Sequence, residues 1–195
     1  MNSALQRNIF LVKEHAGILK AANNYDIYDP QNNGIVIQCR ENNLGLITKL
    51  LRFTDYKSMT PFHIELSTPS GEKILTVKRG ISIWRSRVEV LGPKDQLIGS
   101  FQQHFFSLGG QFDILDTNNN IVANLKGKWT GWNFTFSHEN KTLATVSKEW
   151  AGMGKELFTS ADNYAIKIEE NVAPDNPIRQ LILAAVMSID MVLKE

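Results

Sequence analysis

With one cysteine, Cys39, in 195 residues, the chain has no intrachain disulfide framework. Its four histidines, His15, His63, His104 and His138, are scattered, and no two stand at the close spacing of a helical zinc motif. Charge of one sign is missing too: Lys+Arg 21 against Asp+Glu 20 leaves about +1, so no global field draws nucleic acid, and a charged partner needs a local patch. The opening stretch MNSALQRNIFLVKEHAG lacks an apolar core of signal-peptide length, and the reading is a cytoplasmic protein. No Ser/Gly-rich or Pro-rich linker divides the chain, which points to a single domain over residues 1–195.

Catalytic motifs are also absent. SLGGQF (107–112) has two glycines but no phosphate-loop lysine, and GMGKE (152–156) has neither the upstream glycine nor the downstream Ser or Thr of a P-loop. Cys39 sits in an apparent strand, IVIQCR, where a buried small hydrophobe is the simpler reading than a nucleophile. The sequence therefore reads as non-enzymatic.

What the sequence does contain is one plan written five times: an alternating run, a polar turn, and another alternating run. It recurs at 25–37, 62–77, 87–101, 111–125 and 133–146, with Pro, Asn, Asp and Gly at the turn centres. Turns beginning at Thr68, Gly92, Asp116 and His138 are spaced by 24, 24 and 22 residues, a β-meander rhythm. In QFDILDTNNNIVANL, alternation puts Phe112, Ile114, Ile121 and Ala123 on one face and Asp113 on the other. With 8–14 and 163–170 as further strands the count reaches about twelve, and a sheet that wide curls or closes. The insert 41–59 breaks the rhythm and fits either a strand or a short helix.

The last twenty residues, NPIRQLILAAVMSIDMVLKE, hold the longest apolar run. Asp175 or Asn176 before Pro177 is a helix-start signal, giving a helix over 177–193. The uncharged stretch between Arg179 and Asp190 falls short of the roughly 20 residues of a bilayer span. Leu181, Ile182, Leu183, Ala185, Val186 and Ile189 cover all sides of the helical wheel, so the helix demands burial all round. The expected fold is all-β with one C-terminal helix: a closed antiparallel barrel of about twelve strands around a central hydrophobic helix.

The pattern FLVKE then YDIYDP, the segment KLLRF, and KEWAGMGKELFTSADNYAIKIEE before a helix ending SIDMVLKE resemble the phospholipid scramblase and LURP-one-related group. The likeness covers nearly the whole chain and is most specific where Lys148, Trp150, Phe158, Asp162, Asn163, Tyr164 and the Ile189–Asp190 pair fall in family-like order. The resemblance implies a Tubby C-terminal-like barrel, and its members are associated with calcium-dependent lipid movement or phosphoinositide recognition. The family's calcium segment maps to SADNYAIKIEEN (160–171), where Asp162, Asn163, Glu169 and Glu170 are the remaining oxygen ligands. Ser160 stands where a carboxylate is expected, Lys167 adds opposing charge, and a strand through Tyr164 to Ile168 leaves little loop, so calcium is disfavoured and no cofactor is expected.

Anionic headgroups call for Lys or Arg beside an interfacial aromatic. Two stretches qualify: VKRGISIWRSRVEV, with Arg79, Trp84, Arg85 and Arg87, and LKGKWTGWNF, with Lys126, Lys128 and Trp132. These seven are the candidate contacts for an anionic phospholipid surface, with the protein peripheral to the membrane. Alternatives are a scaffold binding a protein partner through an exposed strand edge, and direct lipid scrambling, which requires the C-terminal helix to leave the core. Basic, aromatic-bearing strand faces also occur simply as solvated walls.

Overall fold

The computed structural model describes residues 2–15, 24–41, 60–80, 87–103, 111–128, 132–148 and 163–193. A short 3-10 turn, Ser3–Gln6, precedes twelve strands. They are β1 (Ile9–Glu14), β2 (Tyr25–Tyr28), β3 (Ile35–Glu41), β4 (Phe62–Ser67), β5 (Lys73–Arg79) and β6 (Arg87–Leu91), followed by β7 (Leu97–Gln103), β8 (Gln111–Leu115), β9 (Ile121–Lys128), β10 (Asn133–His138), β11 (Lys141–Ser147) and β12 (Asn163–Ile168). Each pairs antiparallel with its sequence neighbours, and β1 closes the barrel on β12 through Ile9–Lys167 to Lys13–Asn163. The five expected hairpins are all present. Closure also removes the exposed strand edge that a scaffold reading invoked, because every described strand is paired on both sides.

Three of the hairpin turns share one construction: the first residue, Thr68, Gly92 or Asp116, donates to the carbonyl four residues on and accepts from the amide three residues on. That third residue is Gly71, Asp95 or Asn119, each at positive φ, a conformation open to Gly and tolerated by Asn and Asp. Every hairpin then slips register by one residue beside its turn. The residue left over on the second strand is Val36, Ile74, Ile98, Val122 or Leu143, and each packs toward the core. The slip corrects one expectation: Phe112, Ile114 and Ala123 face inward, but Ile121, paired with Leu115 beyond the bulge, turns outward and is 49% exposed.

The helix α1 (Ile178–Leu193) runs through the barrel. Asn176 rather than Asp175 starts it, its Oδ1 accepting from the Ile178 amide at 3.0 Å. Leu181 through Ile189 are all buried, among them the six residues expected to line the centre. Gly99 on β7 makes room for the helix: a Cβ there would lie 2.8 Å from Leu181 Cδ2 and 2.6 Å from the Leu115 carbonyl. Ser188 donates back to the carbonyls of Ala184 and Ala185, which satisfies the polar atom of an otherwise apolar run. The insert 41–59 lies outside the described residues beyond Glu41 and before Thr60.

Candidate functional site

The tight turns all follow even-numbered strands and so share one end of the barrel, the turn end. The odd-numbered strands end at the other, the loop end. Two turns lean back over the outer wall. Asp95 takes Lys73 Nζ at 2.5 Å, and its carboxyl is held below its ordinary pKa by that bond, with His63 and Lys78 adding to the effect. Asn119 accepts from Arg87 at 2.7 Å, and the outward hydroxyls of Thr76 and Ser100 are fully buried. The seven sequence candidates do not form one patch.

Arg79 shares strand parity with Leu75 and Val77 and points inward. It is 4% exposed, donates to the Thr60 carbonyl at 2.7 Å, and holds its guanidinium 4.9 Å from the Phe62 ring centre. A headgroup contact by Arg79 is therefore not available in this conformation. Trp132 is also buried, stacked on Tyr164 with centroids 4.6 Å apart and edge-on to Phe134, with Lys148 Nζ 5.2 Å over its ring. Gly127, opposite Phe134, leaves space for that ring, since a Cβ there would collide with the Asn133 carbonyl and Phe134. Trp132 holds positive φ, uncommon for so bulky a residue, and packs into the hydrophobic core instead of standing at an interface. Trp84 and Arg85 lie outside the described residues.

Lys126 and Lys128 are placed differently. Ala123, Leu125 and Gly127 face inward on β9, so Lys126 and Lys128 share its outer face, and both are exposed. Lateral pairing continues from Lys126 to Thr135 on β10, Thr145 on β11 and Lys167 on β12. A second row runs from Lys128 to Asn133, whose Oδ1 accepts from Ser147 Oγ at 2.9 Å. Arg87, on β6, stands three strands from β9, about 14 Å away across the wall.

The candidate cation ligands do not converge. Asn163 opens β12, while Glu169 and Glu170 follow its far end, about 20 Å away along an extended strand. Asn163 is buried, Glu169 pairs with Lys167 at 3.1 Å, Glu170 is exposed, and Asp162 lies outside the described residues. Alternation and strand length separate these oxygens, so among the described residues they make no common site.

Sequence reasoning missed Arg179, which is 1% exposed. Its Nε donates to the Ala173 carbonyl at 2.9 Å, and its terminal nitrogens donate to the carbonyls of Val172 (2.6 Å), Arg7 (2.8 Å) and Leu5 (3.3 Å) and to Asn8 Oδ1 (2.7 Å). Burial pulls its pKa down from the ordinary value. At the loop end, Asp26 is buried between His15 Nε2 (2.7 Å) and Arg40 (2.6 Å), a pinned ion cluster on β1 to β3. Burial, with the Asp26 charge second, raises the Tyr28 phenol.

With this geometry, the scramblase family profile matches residues 8–195, and the chain belongs to the scramblase family. It is 22% identical, over 94% of its length, to altered inheritance rate of mitochondria protein 25 of Saccharomyces cerevisiae. It is 21% identical, over 68% of its length, to phospholipid scramblase family member 5 of Homo sapiens. The chain spans 62% and 54% of the lengths of these two relatives. An Arabidopsis thaliana protein solved by X-ray shares the fold at a TM-score of 0.57 and 14% identity, over 94% of this chain and 91% of that one. The barrel around a C-terminal helix is the Tubby-like scramblase fold. Among the described residues no helix is long and apolar enough to cross a membrane.

Proposed function

We propose that this chain is a non-enzymatic binding module that recognises an anionic phospholipid surface from the cytoplasmic side. The observation that carries the reading is the placement of Lys126 and Lys128: both exposed, on one outward face of β9, with no carboxylate partner among the described residues. Exposed ammonium groups beside a negative surface are each worth about 1 kcal/mol. Family membership supports a phospholipid-related role. Lipid movement through a departing helix is the less favoured reading, because withdrawal would strip Arg179 of five acceptors and expose nine buried residues, Leu181 to Ile189.

Co-sedimentation of the chain with neutral and with phosphatidylserine-containing vesicles, at low and physiological salt and with and without calcium, tests the reading. Salt-sensitive binding to the anionic vesicles alone is the expected result. Equal recovery with neutral vesicles, or none with either, contradicts it.

A further inference from the structure

The two outward rows on β9 to β12 extend well beyond the lysine pair, and their composition is asymmetric. Outward on these strands stand Lys126 and Lys128, then Asn133 and Thr135, then Thr145 and Ser147, then Lys167, while the second row ends on β12 at Ala165, which is buried. None of these side chains is acidic. The opposite wall mixes signs and pairs them, as in Lys78 with Glu89 at 3.2 Å and Arg40 with Asp26. Among the described residues, carboxylates stand at the margins of the lysine-bearing wall: Asp113 on β8, held by Asn124 at 2.7 Å, exposed Glu139 in the turn between β10 and β11, Glu169 after β12, which reaches Lys167, and exposed Glu170 beside it.

The geometry points to this side wall as the membrane-docking face, with the barrel lying on its side and α1 parallel to the bilayer. The inference rests on the lipid reading above and adds which face is used. Neighbouring strands stand about 4.8 Å apart, so Lys126 and Lys167 bracket about 14 Å of wall at the backbone. The side chains between them are Thr and Ser hydroxyls and the Asn133 amide, neutral groups that donate to phosphate and carboxylate oxygens without adding charge. Such a face meets several headgroups at once and grips none in a pocket. Arg87, drawn off to Asn119, and inward Arg79 stand apart from it.

Glu169 gives the proposal an opposite-signed test. It neutralises one corner of the wall, so Glu169→Gln strengthens binding to phosphatidylserine-containing vesicles by up to about five-fold, one lysine's share. Lys126→Gln with Lys128→Gln weakens it roughly 25-fold, and Thr135→Glu, which sets an acid between the rows, also weakens it. Lys78→Gln on the opposite wall leaves it unchanged. All these side chains are at least partly exposed, and circular dichroism confirms the fold of each variant. If the unaltered chain binds but Lys126/Lys128 and Glu169 variants bind as it does while Arg87→Gln loses binding, the docking face is wrong and the lipid reading stands. If the unaltered chain binds no anionic vesicle, the lipid reading falls and the face with it.

Discussion

The guanidinium of Arg179 donates to the backbone carbonyl of Arg7 at 2.8 Å, joining residues 172 positions apart. With its other bonds this makes one side chain the tie between the start of α1, the segment before β1 and the turn after β12. Arg179→Met leaves buried carbonyls without a donor and costs about 3–5 kcal/mol in urea unfolding. Arg179→Lys recovers little, because an ammonium cannot serve acceptors spread around a planar fork. A loss under 1 kcal/mol for the methionine variant would contradict the tie.

Gly99 is predicted to be intolerant of a side chain. Gly99→Ala places a methyl against Leu181 and the Leu115 carbonyl and costs about 1–3 kcal/mol of stability. Adding Leu181→Ala relieves only the side-chain half of the clash, so the pair is less destabilised than the sum of its parts. Strict additivity in a double-mutant cycle would separate the two residues.

Asp29 carries the pH dependence. Its carboxyl, 2.8 Å from Arg7 Nε, is held below its ordinary pKa chiefly by that hydrogen bond, with burial opposing it. A carboxyl depressed on folding stabilises above its unfolded pKa of about 4 and loses the benefit as pH falls through the lower folded value. Asp29→Asn should therefore cost about 0.5–1 kcal/mol at neutral pH, and the gap from the unaltered chain should close under acid. A gap independent of pH would show that the charge on Asp29 is not what stabilises the fold.

Cys39 faces the core, and burial pushes its thiol pKa far up. A disulfide reagent at mildly alkaline pH should label it only on the timescale of barrel opening, and at once in urea. Rapid labelling of the folded chain would place β3 outside the closed barrel.

The hairpins were readable because two independent signals coincide at each, alternation in the strands and left-handed residues such as Asp95 and Asn119 in the turns. The helix was readable because Leu181 to Ile189 admit no polar side. One feature was readable but misassigned: Arg79 shares parity with Leu75 and Val77, which already put it inside. The strand that counted against a calcium loop in the sequence runs from Asn163 to Ile168 and sets Asn163 apart from Glu169. Other features follow from closure and leave no local trace. An arginine before an apolar run marks a helix start, and nothing near Arg179 in sequence shows that Leu5, Arg7 and Asn8 will meet it. Nor does alternation show that Thr135 and Thr145 will join Lys126 to Lys167, since that row exists only once four strands are in register.

Hydrogen exchange of α1, with and without phosphatidylserine-containing vesicles, tests most directly whether the chain binds membranes as a closed barrel. The account predicts that amides from Leu181 to Ile189 stay as protected as those of the central strands in both conditions, while the protein sediments with the vesicles. Exchange of those amides on vesicle binding, with the strands still protected, would mean that the helix leaves the barrel and would contradict the account.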